Sequence, residues 1–351
     1  MSGFCRSGVM VTVGRYHHHM SFFAILFALL VEQARPLSSR NWIHAGMRAW
    51  VRAVERNLDT GKHHHGWLAW LVAVAVPALL GLGIYWALWQ VSVVLAFTWN
   101  AVILYATLGF RQFSHHFTDI REALETGDEA RARDLLAAWQ QVQVSDLPRS
   151  EIVRHVIEYS VLAAHRHVFG VLCVFSVLSA LGLGPAGAIL YRMSEFVARY
   201  WEHRSRSVEH PISEALRSSA RGAWRVLDYL PARATAVGFA VVGSFEDAID
   251  TWRQYAQRFP DDNDGVILAA TSGAVNVRLG GEAMKTVFKP QNSQSFMASA
   301  YGNGESEQGS EPTPGREPEV SHLAQVVGLV WRSVVLWMVL LALLTLARLL
   351  G

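Results

Sequence analysis

Apolar residues along this chain are gathered into a few long blocks. Residues 66–110 form a run of 45 without Lys, Arg, Asp or Glu, about twice the roughly 20 needed to cross a bilayer core of about 30 Å. The pattern predicts a helical hairpin over 67–110, with spans at 67–89 and 91–110. Trp67, Trp70, Trp86 and Trp89 fall near the ends of the first leg, where amphipathic rings favour the headgroup level, and Gln90 with Ser92 marks the turn. A second uncharged block, 168–191, is long enough to cross, but the Gly-Leu-Gly-Pro of residues 182–185 interrupts it; it either crosses once or enters and returns. A third, 324–347, sets Arg332 against thirteen Leu and Val. At roughly 0.3 to 0.6 kcal/mol each, these outweigh an arginine's cost of about 2.5 to 3.5 kcal/mol, and Arg332 lies off-centre and can snorkel. The apolar stretch 21–31 is too short to span alone, and no small-residue cleavage site follows it.

The polar stretches read as surface helices and one linker. Residues 118–141 carry Ala130, Leu135 and Ala138 at helical spacing after Thr126-Gly127-Asp128, the signature of an amphipathic hairpin. Residues 302–320 hold four Gly, three Pro, five Glu and one apolar side chain, a composition that cannot offset ordering entropy. The expected organisation is an extension over 1–19 with no periodicity, Met20 being a second start; a short apolar helix and basic loop, 20–66; the hairpin, 67–110; a polar helical segment, 111–167; the broken membrane segment, 168–191; a polar region, 192–281; a disordered linker, 282–322; and a C-terminal transmembrane helix, 323–351. The fold class is therefore all-α: a polytopic helical membrane protein with amphipathic cytoplasmic helices and a flexible linker before its last span.

Composition narrows the function classes. With 51% hydrophobic and 17% charged residues, the chain is too apolar for an ordinary soluble protein. Lys+Arg 31 against Asp+Glu 29 leaves +2, no field to hold nucleic acid. Cys5 and Cys173 alone build neither a disulfide framework nor a Cys-based zinc site, and fit a reducing compartment. The clustered histidines at 17–19, 63–65 and 115–116 are adjacent, not spaced one helical turn apart, and read as surface and interfacial residues. Gly182, Gly184 and Gly187 match G-x-G-x-x-G without the preceding soluble strand that a dinucleotide site requires. Residues 32–66 carry six Lys/Arg against three acids, a cytoplasmic signature. The hairpin returns 111–167 to that side, and a re-entrant turn at 182–185 would return the seven arginines of 192–228 as well.

Candidate chemistry concentrates in 221–281. Asp228 and Arg233 flank Pro231, which suits the first turn of a helix. A carboxylate and a guanidinium at such a break either hold a metal-bound phosphate or acidic substrate, or form an interfacial pair capping the helix. The acid-dense turn 260–265 either binds a cation or terminates the helix of 246–259. An apolar run then leads to Asn276-Val-Arg278-Leu-Gly-Gly281.

At Leu227-Asp-Tyr-Leu-Pro-Ala-Arg233, at Trp252 with Asp264-Gly265, and at Val277-Arg-Leu-Gly-Gly281, the chain resembles the CobD/CbiB family of integral membrane proteins, over most of 20–281. The resemblance makes 192–281 the family-signature region. It implies an adenosylcobinamide-phosphate synthase that joins aminopropanol or its phosphate to a carboxylate of the corrinoid adenosylcobyric acid, with ATP and Mg2+, in the bacterial inner membrane. By the same resemblance Asp228, Arg233 and Glu158 are catalytic, and Asp264, Arg278 and Gly280 bind cofactor. Metal ligands and oligomeric state stay open. Of the family's early elements only His44 and Arg48 are echoed. In its acidic stretch, matched at 158–170, Glu158 is kept while the later Glu and Asp give way near His165 and Phe169. There and at 184–192 the chain also resembles AmpE-like proteins, inner-membrane modulators of β-lactamase induction, which implies non-enzymatic signalling instead; the 264–281 stretch, resembling the synthase branch, discriminates.

Overall fold

A computed structural model of the chain describes residues 22–32, 34, 42–140, 147–205, 212–282 and 310–350; the extension expected over 1–19 and most of the linker expected over 282–322 lie outside the described residues. Among those residues every regular element is helical, apart from one isolated bridge between Val277 and Arg316. α1 (Phe22–Glu32) and α2 (Trp42–Leu58) precede the apolar hairpin. Its first leg, α3 (His63–Val91), is 29 residues long. Ser92 makes the turn in extended conformation, its Oγ accepting the Val94 N–H at 3.2 Å, and thereby caps the second leg, α4 (Val93–Thr107). This leg is shorter than its sequence suggests: the backbone turns extended at Leu108. Its 15 residues cover about 22 Å, less than the bilayer core. α5 (Phe110–Glu125) and α6 (Glu129–Gln140) form the amphipathic pair expected near 118–141, joined through Gly127 at φ 78°.

The largest departure concerns the segment expected to be polar up to 167 and membrane-like from 168. The two are one helix. α7 (Arg149–Ala164) runs through a π-helical segment (His165–Phe169) into α8 (Gly170–Ala180), a 32-residue span whose most apolar stretch is 78% buried in protein. Arg154, His155 and Glu158 are buried within it; Arg154 bonds both of the others, which offsets in the fold a polarity that a window average counts in full. The chain reverses at 181–185 and returns along α8 as α9 (Ala186–Ser205). Gly187 permits this: a Cβ there would lie 2.6 Å from the Val174 carbonyl oxygen. Gly184, at φ 50°, receives the Tyr85 ring from α3. The glycine pattern thus serves a reversal and close packing.

α10 (Glu214–Leu227), α11 (Tyr229–Val242), α12 (Phe245–Tyr255), α13 (Asp262–Val275) and α14 (Val320–Leu350) complete the bundle. A large core joins α1, α4–α8 and α11–α14; a smaller one joins α2, α3, α9 and α10 around Trp201. α9 passes from one to the other, Tyr191 packing in the first and Met193 in the second. Residues 310–316, inside the expected linker, are held against 276–281. Thr313 N–H donates to Leu279 O at 2.7 Å and Arg278 N–H to Arg316 O at 2.8 Å, while Thr313 Oγ1 accepts the Leu279 N–H at 2.8 Å. Composition misleads here because this strap is held by backbone pairing and one buried threonine, not by apolar side chains. The helix that follows begins at Val320, within the range assigned to the linker.

Among the described residues three helices are long and apolar enough to cross a membrane: His63–Val91, Arg149–Ala180 and Val320–Ala347. Large side chains such as Leu71, Leu79, Leu80, Val237, Leu343 and Leu344 point outward. Such a surface is stable only against lipid. Arg332 is exposed on α14, and its Nε donates to Gly328 O at 3.2 Å, the guanidinium turned back toward the helix N-terminus as snorkelling requires.

Candidate functional site

The π segment sits at the junction of the two cores and is the centre of a buried polar cluster. Its defining bond is Gly170 N–H to His165 O, five residues apart, and such bulges often mark functional sites because they re-aim side chains. His165 is fully buried; Nε2 meets Asp228 Oδ1 at 2.9 Å and Nδ1 meets Thr235 Oγ1 at 2.9 Å. Tyr191 OH donates to the same Asp228 oxygen at 2.7 Å. Tyr191 reaches it because Gly170 has no Cβ, which would run into the tyrosine ring. A carboxylate only accepts, so Asp228 fixes the proton of His165 on Nε2 and leaves Nδ1 of a neutral ring to accept from Thr235. Asp228 Oδ2 is buried with no hydrogen-bond partner.

One residue further, Arg166 pairs with Asp264 on α13. Burial pushes the Asp264 carboxyl up to about 6; Arg166 opposes the shift, while Asp261 and Asp228 add to it. On α9, Glu195 bridges Arg192 at 2.7 Å and Arg199 at 2.9 Å. Burial raises its pKa, Arg192 and Arg166 resisting and Asp228 adding. His44 of α2 completes this side; burial, then Arg192 and Arg48, lower it to about 4, so its ring is neutral at physiological pH.

Asp228 and Arg233 do not pair with each other. Asp228 turns inward. Arg233 lies over the Tyr229 ring, Cζ 3.3 Å from the centroid, and its Nη1 donates to Tyr229 O at 2.9 Å and Asn263 Oδ1 at 3.0 Å. Asn263 Nδ2 donates to Arg225 O at 3.0 Å, so this amide ties the α10–α11 turn to α13. Asp261 begins α13, its Oδ1 accepting the Asn263 and Asp264 N–H groups at 3.0 and 3.3 Å, whereas the sequence offered cation binding or the end of the previous helix.

Glu158 stands apart from this centre. Its carboxylate accepts from Arg154 Nη1 at 3.0 and 3.1 Å and from the Gly280 N–H at 2.6 Å. Arg154 Nη2 also reaches Glu282 O at 2.8 Å. Glu158 and Gly280 are therefore joined in a latch between α7 and the loop after α13. The Arg278 side chain is exposed, with its N–H given to the strap.

The sequence matches the family model described as CobD/Cbib protein over residues 22–300. The chain belongs to the CobD/CbiB family. Its relatives include the cobalamin biosynthesis protein CobD of Stutzerimonas stutzeri, 29% identical over 80% of this chain and 82% of that protein. The protein of the same name from Chromobacterium violaceum is 30% identical over 52% of this chain and 55% of its own length. That of Mycobacterium tuberculosis is 46% identical, but over 15% of this chain and 19% of its own. No solved structure matches. These relatives do not favour the β-lactamase-modulator reading.

Of the family-signature residues, the fold brings Asp228, Arg233 and Asp264 to one end of α11 and α13, and places Glu158, Gly280 and Arg278 at the latch and strap. Sequence reasoning missed Arg166, Tyr191 and Asn263, and took His165 only as a lost carboxylate. One signal was available: His165-Arg166-His167 abuts an apolar block, and ionisable residues at membrane-type positions mark function.

Proposed function

We propose that this chain serves cobalamin biosynthesis as an adenosylcobinamide-phosphate synthase-type ligase of the bacterial inner membrane, its larger loops cytoplasmic. It would join aminopropanol or its phosphate to a carboxylate of adenosylcobyric acid, with ATP and Mg2+. The observation that carries this reading is the meeting of two signature stretches at one end of α11 and α13: Asp228 and Asp264 turn into the π-centred cluster, and Arg233 lies beside it on Asn263.

Among the described residues no three His, Cys, Asp or Glu side chains converge as a metal cage. Mg2+ that arrives with phosphates draws on only one or two protein carboxylates, and the unfilled Asp228 Oδ2 fits that demand. ATP would supply the activation that an unreactive carboxylate needs, and Mg2+ would offset phosphate charge. The chain's own residues do the rest. Arg233 holds an anionic group by its open edge. Asp264, titrating near 6, has the strength to take the proton that an amine loses on becoming an amide. Asp228 keeps His165 in one tautomer and in place, and the apolar shell excludes water from the activated carboxyl.

The test is growth of a strain lacking its own synthase, supplied with cobyric acid and no cobinamide. The expected result is rescue by the wild-type chain, and loss of rescue with Asp228→Asn or Arg233→Ala at unchanged membrane abundance. Failure of the wild-type chain to rescue would overturn the reading.

A further inference from the structure

Among the described residues no carboxylate answers the charge of Arg233. Both of its hydrogen bonds leave from Nη1; among the described residues, Nε and Nη2 have no partner. That is the edge of the guanidinium whose parallel N–H groups match two oxygens of a phosphate or carboxylate. Carboxylates are not scarce nearby. Asp228 is taken by His165 and Tyr191, Asp264 by Arg166, and Asp261 by the cap of α13, while exposed Asp262 forms no ion pair with Arg233. A half-buried arginine among four acids, each committed elsewhere or turned away, is kept open for something that is not protein.

Its posture is also fixed. Tyr229, one turn earlier on α11, supplies a flat face beneath the guanidinium. Asn263, 1% exposed, holds Nη1 from the other side. The amide cannot be reversed, since arginine only donates and the Arg225 carbonyl only accepts. Two features favour a multiply charged anion over a single carboxylate. Asn263 lies in the first turn of α13, where the helix dipole is positive. Arg221 and Arg225, exposed and one turn apart on α10, add charge on the approach.

We propose that Arg233 is a preorganised fork for a phosphate group, with Tyr229 as its platform and Asn263 as the positioning residue that sets its angle. The phosphate belongs either to a water-borne substrate or to a lipid headgroup. Its being a substrate phosphate rests on the synthase reading; the fork itself does not.

The experiment is calorimetric titration of inorganic pyrophosphate into the full chain in phosphatidylcholine nanodiscs. Arg233→Lys keeps the charge and loses the fork, and Tyr229→Ala removes the face; each is expected to weaken binding about tenfold, the scale of one charge-assisted hydrogen bond. Tyr229→Phe keeps the face and should bind as the wild type does. Asn263→Asp still reaches Arg233 but answers its charge, so it should abolish binding, an effect that a purely structural asparagine would not produce. Tyr229 is exposed, so its pair of variants decides the matter even if Asn263 variants fail to fold. In phosphatidylglycerol nanodiscs, unchanged affinity assigns the fork to a water-borne phosphate. Weaker binding there for the wild type, but not for Arg233→Lys, assigns it to a lipid headgroup. No pyrophosphate binding, or equal binding by wild type, Arg233→Lys and Tyr229→Ala, overturns the fork. Lost growth rescue with these affinities intact would strike the synthase reading alone.

Discussion

Burial lifts the Asp264 carboxyl from 3.8 to about 6, so the folded protein holds that proton more tightly than the unfolded chain does. The stability it contributes is present below about pH 3.8 and is withdrawn as pH rises through about 6. Asp264→Asn, which cannot titrate, is expected to flatten the pH dependence of unfolding between these values relative to wild type; superimposable profiles would show that Asp264 does not carry it. At this scale the sequence was legible where residue type decides the role. Asp228, Arg233 and Asp264 stand in the stretches that carry the family resemblance, beside turn-forming Pro and Gly, and the fold brings them to one end of α11 and α13. It was illegible where role depends on direction. Nothing in a string of letters says that Arg233 faces Asn263 rather than Asp228, or that Glu158 bonds Gly280, 122 positions away.

Close approach of α8 and α9 depends on Gly187, and α3 joins them through Gly184 and Tyr85. Gly187→Val would force the α9 backbone off Val174 and Phe175 and is expected to cost about 3 kcal/mol, the upper range for overpacking. Gly83→Val on α3, where a Cβ meets nothing within 4 Å, is the control. Urea unfolding in detergent micelles would compare them, and equal midpoints would mean that the helices separate freely. The long uncharged run revealed the α3–α4 hairpin because hydropathy averages well over turns of one kind. The α7–α8 helix stayed hidden because its first half is buried in protein rather than lipid, and because a π segment is an insertion of one residue per turn with no compositional mark.

The whole molecule is a lipid-facing shell around a polar interior, closed by contacts far apart in sequence. Glu158→Ala would leave buried Arg154 with Glu151 as its one carboxylate partner among the described residues, at a cost of about 3 kcal/mol, the low end for a broken buried pair. It should also release Gly280, so limited proteolysis is expected to cut 310–316 faster, while Glu158→Gln, which still accepts from Gly280, restores protection. Equal cutting rates would show that the strap does not depend on the latch. The strap has a further consequence, for the order of synthesis. Leu279 finds Thr313 34 residues later, a loop whose closure costs about 3 kcal/mol of chain entropy. A nascent chain that has already made Asp228, Arg233 and Asp264 therefore still has an open loop at 276–281. It closes that loop only when residues up to 316 have left the ribosome, so the strap can form only late in synthesis.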